Sequence, residues 1–369
     1  MREKIKLVHF IHGLSMGGAE TLVKDYALGL DKNKFDLTIL CLNRFDSSYE
    51  KILEEHAISI IYISDFMPFY KRKNIFFRII NRLQRYYFVR KILRRLQPEI
   101  LHIHLTLNKM VKFAALPKST KIFYTQHFDV EKYKQCYIDD IKALRWLIKN
   151  YPTQIIVLND SMRMELNKLF NILNTEVLNN GINLNRFKNA KNKAQIRKEL
   201  GIAQDAFVIG HIGRLNAIKN QEFLIDIAAA LRRQKPNTLL LMIGSGPDLA
   251  KIEAKLKETQ MKERSLLLSN RTDIPDLLNA MDRFVFPSIS EGIPLTLIEA
   301  QVAALPCIVS NGVPKAAKIS NLVIFKSLKE PISSWVKAIM AKPPVPVYTN
   351  LQDWDISAVI KKLEKLYEQ

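Results

Sequence analysis

Residues 283–311 read RFVFPSISEGIPLTLIEAQVAALPCIVSN. The apolar run from Phe284 to Phe286 predicts a buried strand. A polar loop with Glu291, Gly292 and Pro294 follows, and then an apolar-periodic helix from Leu295 to Ala304 that carries a lone carboxylate at Glu299. Proline suits a first helical position, because the N–H it lacks there has no intrahelical partner. The N–H groups of residues 295 to 297 then point back into the loop. Aligned peptide dipoles and unpaired donors make such a helix start a seat for an anion, phosphate above all. Glu291 and Glu299 fall on either side of that seat.

Upstream, Phe207 to Ile212 reads as a strand that runs into Gly213-Arg214-Leu215-Asn216-Ala217-Ile218-Lys219-Asn220 and a helix from Gln221 to Arg232. Arg214 and Lys219, on a glycine turn at the C-terminal end of a strand, are placed to neutralise a diphosphate. Two solvated surface cations are the plain alternative. Further strands are expected at Leu239 to Ile243, before the Gly244-Ser245-Gly246-Pro247 turn, and at Leu266 to Leu268, before Ser269 to Pro275. In the first half, a strand from Lys6 to His12 enters a turn holding Gly17, Gly18 and Glu20, and a helix from Thr21 to Leu30. Paired glycines let a backbone approach a ligand closely, although a tight strand-to-helix turn uses them equally. Strand-like runs recur at Phe35 to Leu42, Ile58 to Ile63, Ile100 to Leu105, Ile122 to Thr125 and Thr153 to Leu158. This alternation with helical segments predicts an α/β chain of parallel, doubly wound sheets. A Lys- and Asn-rich segment, residues 188 to 198, marks the domain boundary.

The 369 residues, 48% apolar, are enough for two cores. Three cysteines, Cys41, Cys136 and Cys307, show neither close pairing nor metal-type spacing, which fits a reducing cytoplasm. The amino-terminal run reads as a first strand rather than a secretion signal, since His9 and His12 interrupt it. No stretch approaches the ~20 apolar residues that cross a bilayer, so membrane contact is expected to be peripheral. With 56 basic against 36 acidic residues, the net charge of +20 calls for an anionic partner. No zinc-finger, RNA-recognition or helix-turn-helix pattern supports nucleic acid, which rests on charge alone.

Glu291, seven residues and Glu299, with Gly-x-Pro just after the first, resemble the signature of family 4 of the retaining glycosyltransferases. Gly17-Gly18-Ala19-Glu20, Gly213-Arg214-Leu215 and Lys219-Asn220 stand in the matching order, and the resemblance covers nearly the whole chain up to a last helix, Ile356 to Leu366. After Asn311 the fit weakens, and no site residue is taken from there. The resemblance implies a GT-B fold, with two Rossmann-like doubly wound domains facing a central cleft. Residues 1–188 would bind the acceptor, residues 189–355 would bind the nucleotide-sugar donor, and residues 356–369 would cross back to the first domain. It further implies that Glu291 meets the donor sugar and that Glu299 holds the ribose. Ile293, Pro294 and Leu295 would seat the diphosphate with Arg214 and Lys219. Gly17 and Gly18 would line the cleft beneath the diphosphate, Arg271 would lie near the nucleobase, and His127, after the strand ending at Thr125, would lie near the acceptor and donor sugar. His102 and His104 read as structural.

On the same resemblance, fixed cations and helix dipoles serve the leaving diphosphate, so neither a divalent metal nor a separate cofactor is expected. The donor would be a nucleotide sugar, UDP being the commoner base, and the acceptor a glycan on a lipid carrier in surface polysaccharide assembly. A nucleotide-sugar epimerase of the same architecture and a non-catalytic glycan-assembly subunit are the alternatives. The stretch from Lys71 to Arg95 holds ten basic residues and no acid. At 100° per residue, Arg78, Arg82 and Arg85 share one helix face, and Phe76, Ile80, Leu83 and Tyr87 lie on the opposite one. A basic amphipathic helix of this kind predicts docking on an anionic membrane at the inner face of the cell membrane.

Overall fold

The computed structural model describes residues 3–68, 70 and 74–369. Lys71 to Lys73, the start of the basic stretch, lie outside the described residues. The chain forms two compact units, residues up to Gly181 together with Ile356–Gln369, and Ile182–Asp355. The division falls where Ile182 donates its N–H to Trp354 O at 2.8 Å and bridges with Asp355.

The first unit carries seven strands: β1 (Ile5–Ile11), β2 (Phe35–Cys41), β3 (Ser59–Tyr62), β4 (Ile100–His104), β5 (Lys121–Thr125), β6 (Thr153–Val157) and β7 (Thr175–Val177). They pair in parallel in the order β3-β2-β1-β4-β5-β6-β7. Strands buried on both faces need near-continuous apolar runs, and β1 (IKLVHFI) and β4 (ILHIH) supply them with histidines interspersed. The closing helix, Ile356–Glu368, buries Val359, Ile360, Leu363 and Tyr367 against the same core as Leu7, Tyr26, Phe35 and Phe123. That spacing, one face every three to four residues, is what makes this helix part of the first unit.

The second unit has six parallel strands: β8 (Phe207–Ile212), β9 (Thr238–Ile243), β10 (Ser265–Leu268), β11 (Arg283–Phe286), β12 (Cys307–Ser310) and β13 (Val323–Lys326). Their order is β10-β9-β8-β11-β12-β13. Leu224, Ile227 and Leu231 of the helix Gln221–Gln234 pack with Leu240, Met242, Trp335 and Ile339 into one core. In both sheets the strand order reverses beside the first strand, between β1 and β4 and between β8 and β11. Ligands of open parallel sheets bind past the carboxyl ends of the strands at such a reversal. The loops 213–220 and 287–294 leave β8 and β11 at that point.

Several elements differ from expectation. The helix after β1 spans Gly18–Gly29 and so starts three residues earlier than predicted, because Thr21 N and Oγ1 both donate to Gly17 O at 2.8 Å and close the first turn there. The helix after Pro294 spans Leu295–Val302 with Pro294 as its N-cap. The helix Ile75–Leu96 buries Asn81, Val89, Ile92 and Leu93. Its apolar side points away from that core: Phe76, Leu83 and Tyr87 are 65%, 65% and 59% exposed, and Ile80 is half-buried. Arg85 turns inward and donates to Asn43 Oδ1 at 3.2 Å. Among the described residues no helix is long and apolar enough to cross a membrane.

Candidate functional site

The loops past β8 and β11 are bound to each other. Ile289 N donates to Ile218 O at 2.7 Å, and Glu291 N donates to Gly312 O at 3.1 Å. Asn216 caps the short turn Ala217–Lys219 by accepting from Lys219 N at 3.2 Å. This backbone brings Lys219 Nζ to 2.6 Å from Glu291 Oε1, with the two side chains 18% and 11% exposed. The ammonium also lies 4.7 Å from the centre of the Phe286 ring. A short bond between an ammonium and a carboxylate, mostly out of water, fixes the position of both side chains. Arg214, in contrast, is exposed, and among the described residues its guanidinium has no partner. The Arg214 turn is braced from beneath: Gln221 Nε2 donates to Arg214 O at 2.9 Å, and His211 Nδ1 donates to Val285 O at 3.1 Å, tying β8 to β11. Burial pushes the pKa of His211 down to about 4, so the imidazole is neutral.

The turn after β9 lies flat on the same backbone. A Cβ at Gly244, whose φ is +154°, would sit 2.0 Å from Gly213 O, and Leu215 N donates to Ser245 O at 3.0 Å. Only glycine fits there. At the start of the helix Leu295–Val302, Leu297 N closes onto Pro294 O at 3.1 Å. One of the three donors expected to face the loop is therefore used within the helix. The N–H groups of Leu295 and Thr296 have no acceptor among the described residues. Ile293, Pro294 and Leu295 are buried, which makes this helix start rigid, and Glu299 is half-buried one turn further on. Arg271 is not a free fork. Its Nε donates to Asp273 Oδ1 at 2.7 Å and its Nη2 to Oδ2, which occupies two of its five N–H groups and holds the guanidinium in place.

In the first unit, Gly17 caps the helix Gly18–Gly29 at φ −143°, which any residue adopts; a Cβ there would meet Glu20 Oε2 at 2.4 Å. That carboxylate is the end of a flexible side chain that can swing aside, so neither conformation nor space demands glycine at this position. Gly18 is exposed in the first turn. His127, half-buried just past β5, pairs its Nε2 with His104 Nδ1 at 3.0 Å, and burial pushes its pKa down to about 3. A cavity of about 1070 Å³ opens in this unit, lined by His12, Arg78, Arg82, Arg85, Lys109 and Tyr137 among others. Its lining sets four cations, Arg78, Arg82, Arg85 and Lys109, against two carboxyl groups, Asp139 and Asp140, a positive balance that favours an anionic ligand.

Residues 16–186 match the model of Glycosyltransferase Family 4, and residues 192–333 match that of the Glycosyl transferases group 1. The chain belongs to the glycosyltransferases. It is 27% identical over 350 residues to EpsF of Bacillus subtilis (strain 168), named as a glycosyltransferase, covering 90% of this chain and 86% of that one. It is 26% identical over 328 residues to the UDP-Gal:alpha-D-GlcNAc-diphosphoundecaprenol alpha-1,3-galactosyltransferase of Escherichia coli, covering 84% and 80% of the two chains. The crystal structure of Anabaena Alr3699/HepE in complex with UDP and glucose superimposes with a TM-score of 0.77 at 16% identity, covering 99% of this chain and 100% of that one. That likeness assigns the GT-B fold. Neither family model supports an epimerase.

Within the glycosyltransferase, Arg214, Lys219, Glu291, Ile293, Pro294, Leu295, Glu299 and Arg271 all belong to the second unit, whereas Gly17, Gly18 and His127 belong to the first. Two residues that shape the site have no sequence signature: His211 and Gln221. A buried histidine inside a strand reads as core, and Gln221 reads as the first residue of a helix. Their use becomes visible only when Arg214 O and Val285 O are seen to be their acceptors.

Proposed function

We propose that this glycosyltransferase moves a sugar, with retention of configuration, from a nucleotide sugar to a glycan carried on a lipid diphosphate, in the assembly of a surface polysaccharide. The observation that carries the donor half is the pairing of Lys219 with Glu291 beside the unpartnered Arg214 and the open start of the helix Leu295–Val302. A departing diphosphate gathers negative charge, and fixed cations and dipoles at that spot lower the barrier without reorganising. The bond from the anomeric carbon to the diphosphate oxygen breaks with its electron pair going to that oxygen. The acceptor hydroxyl oxygen bonds to the anomeric carbon from the same face, and its proton passes to the departing phosphate. Glu291 stands on the sugar side and Glu299 on the ribose side.

The donor base we propose is uridine, in line with the UDP held by HepE and the UDP-Gal named for the Escherichia coli relative. That relative's named acceptor is a sugar on diphosphoundecaprenol, and the cationic cavity of the first unit suits such a diphosphate. The two carboxylates are expected to separate in a binding and turnover comparison. Glu299→Ala weakens UDP binding about tenfold or more through the lost ribose bonds, and Glu291→Gln loses transfer while UDP affinity stays within about threefold of the parent. Calorimetry and product formation measure both, and equal UDP binding by Glu299→Ala and the parent would remove Glu299 from the ribose.

The enzyme is proposed to dock on the inner face of the cell membrane. Ile75, Phe76, Ile79, Leu83 and Tyr87 form an exposed apolar stripe at i, i+4 spacing, and exposed Arg78, Arg82, Arg90 and Lys91 flank it. Such a helix lies in a lipid interface with its apolar side down, each cation near an anionic leaflet contributing ~1 kcal/mol. Co-sedimentation with vesicles containing anionic phospholipid is expected for the parent, weakening at high salt, and is expected to be lost in Phe76→Ser/Leu83→Ser and in Arg78→Glu/Arg82→Glu. Binding by all three proteins alike, or by none, contradicts the proposal.

A further inference from the structure

Beneath the first sheet's switch point, six side chains meet through a continuous run of hydrogen bonds. Thr125 Oγ1 lies 2.7 Å from His102 Nε2, and His102 Nδ1 lies 2.5 Å from the Tyr367 hydroxyl. That hydroxyl lies 3.2 Å from His9 Nε2, His9 Nδ1 lies 3.0 Å from His104 Nε2, and His104 Nδ1 lies 3.0 Å from His127 Nε2. Strands β1, β4 and β5 and the closing helix each contribute, and Thr125, His102, His9, His104 and Tyr367 are at most 2% exposed. Burial pushes His9 and His127 down to about 3 and His102 and His104 well below their ordinary value, so all four rings are neutral near pH 7.

A neutral imidazole has one N–H donor and one bare nitrogen acceptor, and a hydroxyl has one proton to give. Two neighbours cannot both donate along one bond, so the protons of the whole run point the same way. Only two arrangements exist. If the run points from His127 inward, all four rings carry their proton on Nε2, and Thr125 Oγ1 accepts from His102 and must donate its own proton elsewhere. Thr125 Oγ1 has no second partner among the described residues, and a buried hydroxyl proton without an acceptor costs about 1–3 kcal/mol. If the run starts at Thr125, every buried donor is satisfied and all four rings carry their proton on Nδ1. His127 Nδ1, which has no protein partner among the described residues, is then the outlet.

We propose that Thr125, His102, Tyr367, His9 and His104 form a one-way hydrogen-bonded chain that sets the tautomer of His127, presenting its Nδ1–H past β5 as a donor to a substrate oxygen. His127 is thus a hydrogen-bond donor and not the base that takes the acceptor proton, and the other five are positioning residues. His9, His102 and His104 also lie close enough together to ligate a cation, their ligand atoms being within 4.8 Å of one another. Each of their ring nitrogens already has a hydrogen-bond partner, which is why the chain is the assignment made.

The identity of the substrate oxygen rests on the glycosyltransferase reading, whereas the tautomers are measurable without substrate. Long-range ¹H–¹⁵N correlation on the full chain labelled with ¹⁵N-histidine, assigned with His127→Gln, is expected to show His9, His102, His104 and His127 protonated on Nδ1. Thr125→Val removes the first donor at nearly constant shape. It is expected to mix the tautomers of the four rings and lower kcat about tenfold with KM for the donor little changed, while Thr125→Ser restores both. A proton on Nε2 of His127 in the parent, stoichiometric metal in protein purified without chelator, or tautomers or kcat unmoved by Thr125→Val would each overturn the chain as stated. Should Thr125→Val fail to fold, the parent spectrum and Thr125→Ser still decide the direction. Failure of any sugar transfer with Nδ1-protonated rings would overturn the proposed function and leave the chain standing.

Discussion

Lys219→Ala is expected to lower kcat by roughly 10²–10³-fold, the loss seen when one preorganised charge donor is taken from a site where transition-state charge develops. The side chain has two tasks in the structure. Its ammonium lies 2.6 Å from Glu291 Oε1 in a pair that is mostly out of water, and in the proposed function it meets the departing diphosphate. Removing it strands a carboxylate with 11% of its side chain exposed, so a lowered melting temperature should accompany the lost turnover. The double variant Lys219→Met/Glu291→Gln separates the two effects. With both charges gone the melting temperature is expected to recover, and turnover is not. Turnover in Lys219→Ala within tenfold of the parent would mean that the diphosphate is neutralised elsewhere.

Arg214→Ala is expected to weaken nucleoside diphosphate binding about 10- to 100-fold, on the order of 1.5–3 kcal/mol for a bond between charged groups. Because Arg214 is exposed and has no acceptor among the described residues, its loss leaves no buried charge behind, and the melting temperature should stay within about 1 °C of the parent. The pair of variants thus differs in kind. Lys219 is tied into the site and its removal disturbs both fold and chemistry, whereas Arg214 waits for its ligand. Arg214→Lys should recover only part of the affinity, since a point charge cannot reproduce a planar fork on two phosphate oxygens.

Much of this architecture is legible in the sequence, because parallel strands buried on both faces leave apolar runs such as LVHFI and FVIGHI between helical segments. The strands that escape reading are short: Thr175–Val177 at one sheet edge, and Cys307–Ser310 and Val323–Lys326 beyond the Glu-bearing helix. Runs of three or four residues carry too few periods to be told from loop or helix. The helix Ile75–Leu96 shows a different limit. Angular spacing separates its arginines from Phe76, Leu83 and Tyr87, but spacing does not say which face meets the core, and only the narrow set Asn81, Val89, Ile92 and Leu93 does. In the site, the glycine turns, the proline before the helix and the two glutamates are local features and can be read. The Lys219–Glu291 pair spans 72 residues and the His102–Tyr367 bond 265, and such contacts exist only once the sheets are assembled.

The central claim is that the second unit holds a diphosphate between Arg214, Lys219 and the start of the helix Leu295–Val302. Calorimetric titration of the parent with the di- and monophosphates of uridine, guanosine and adenosine tests it most directly. The expected result is that one base is preferred, that its diphosphate binds at least tenfold more tightly than its monophosphate, and that this gap closes in Arg214→Ala/Lys219→Ala. A monophosphate that binds as tightly as the diphosphate, or a gap that survives the double substitution, would contradict it.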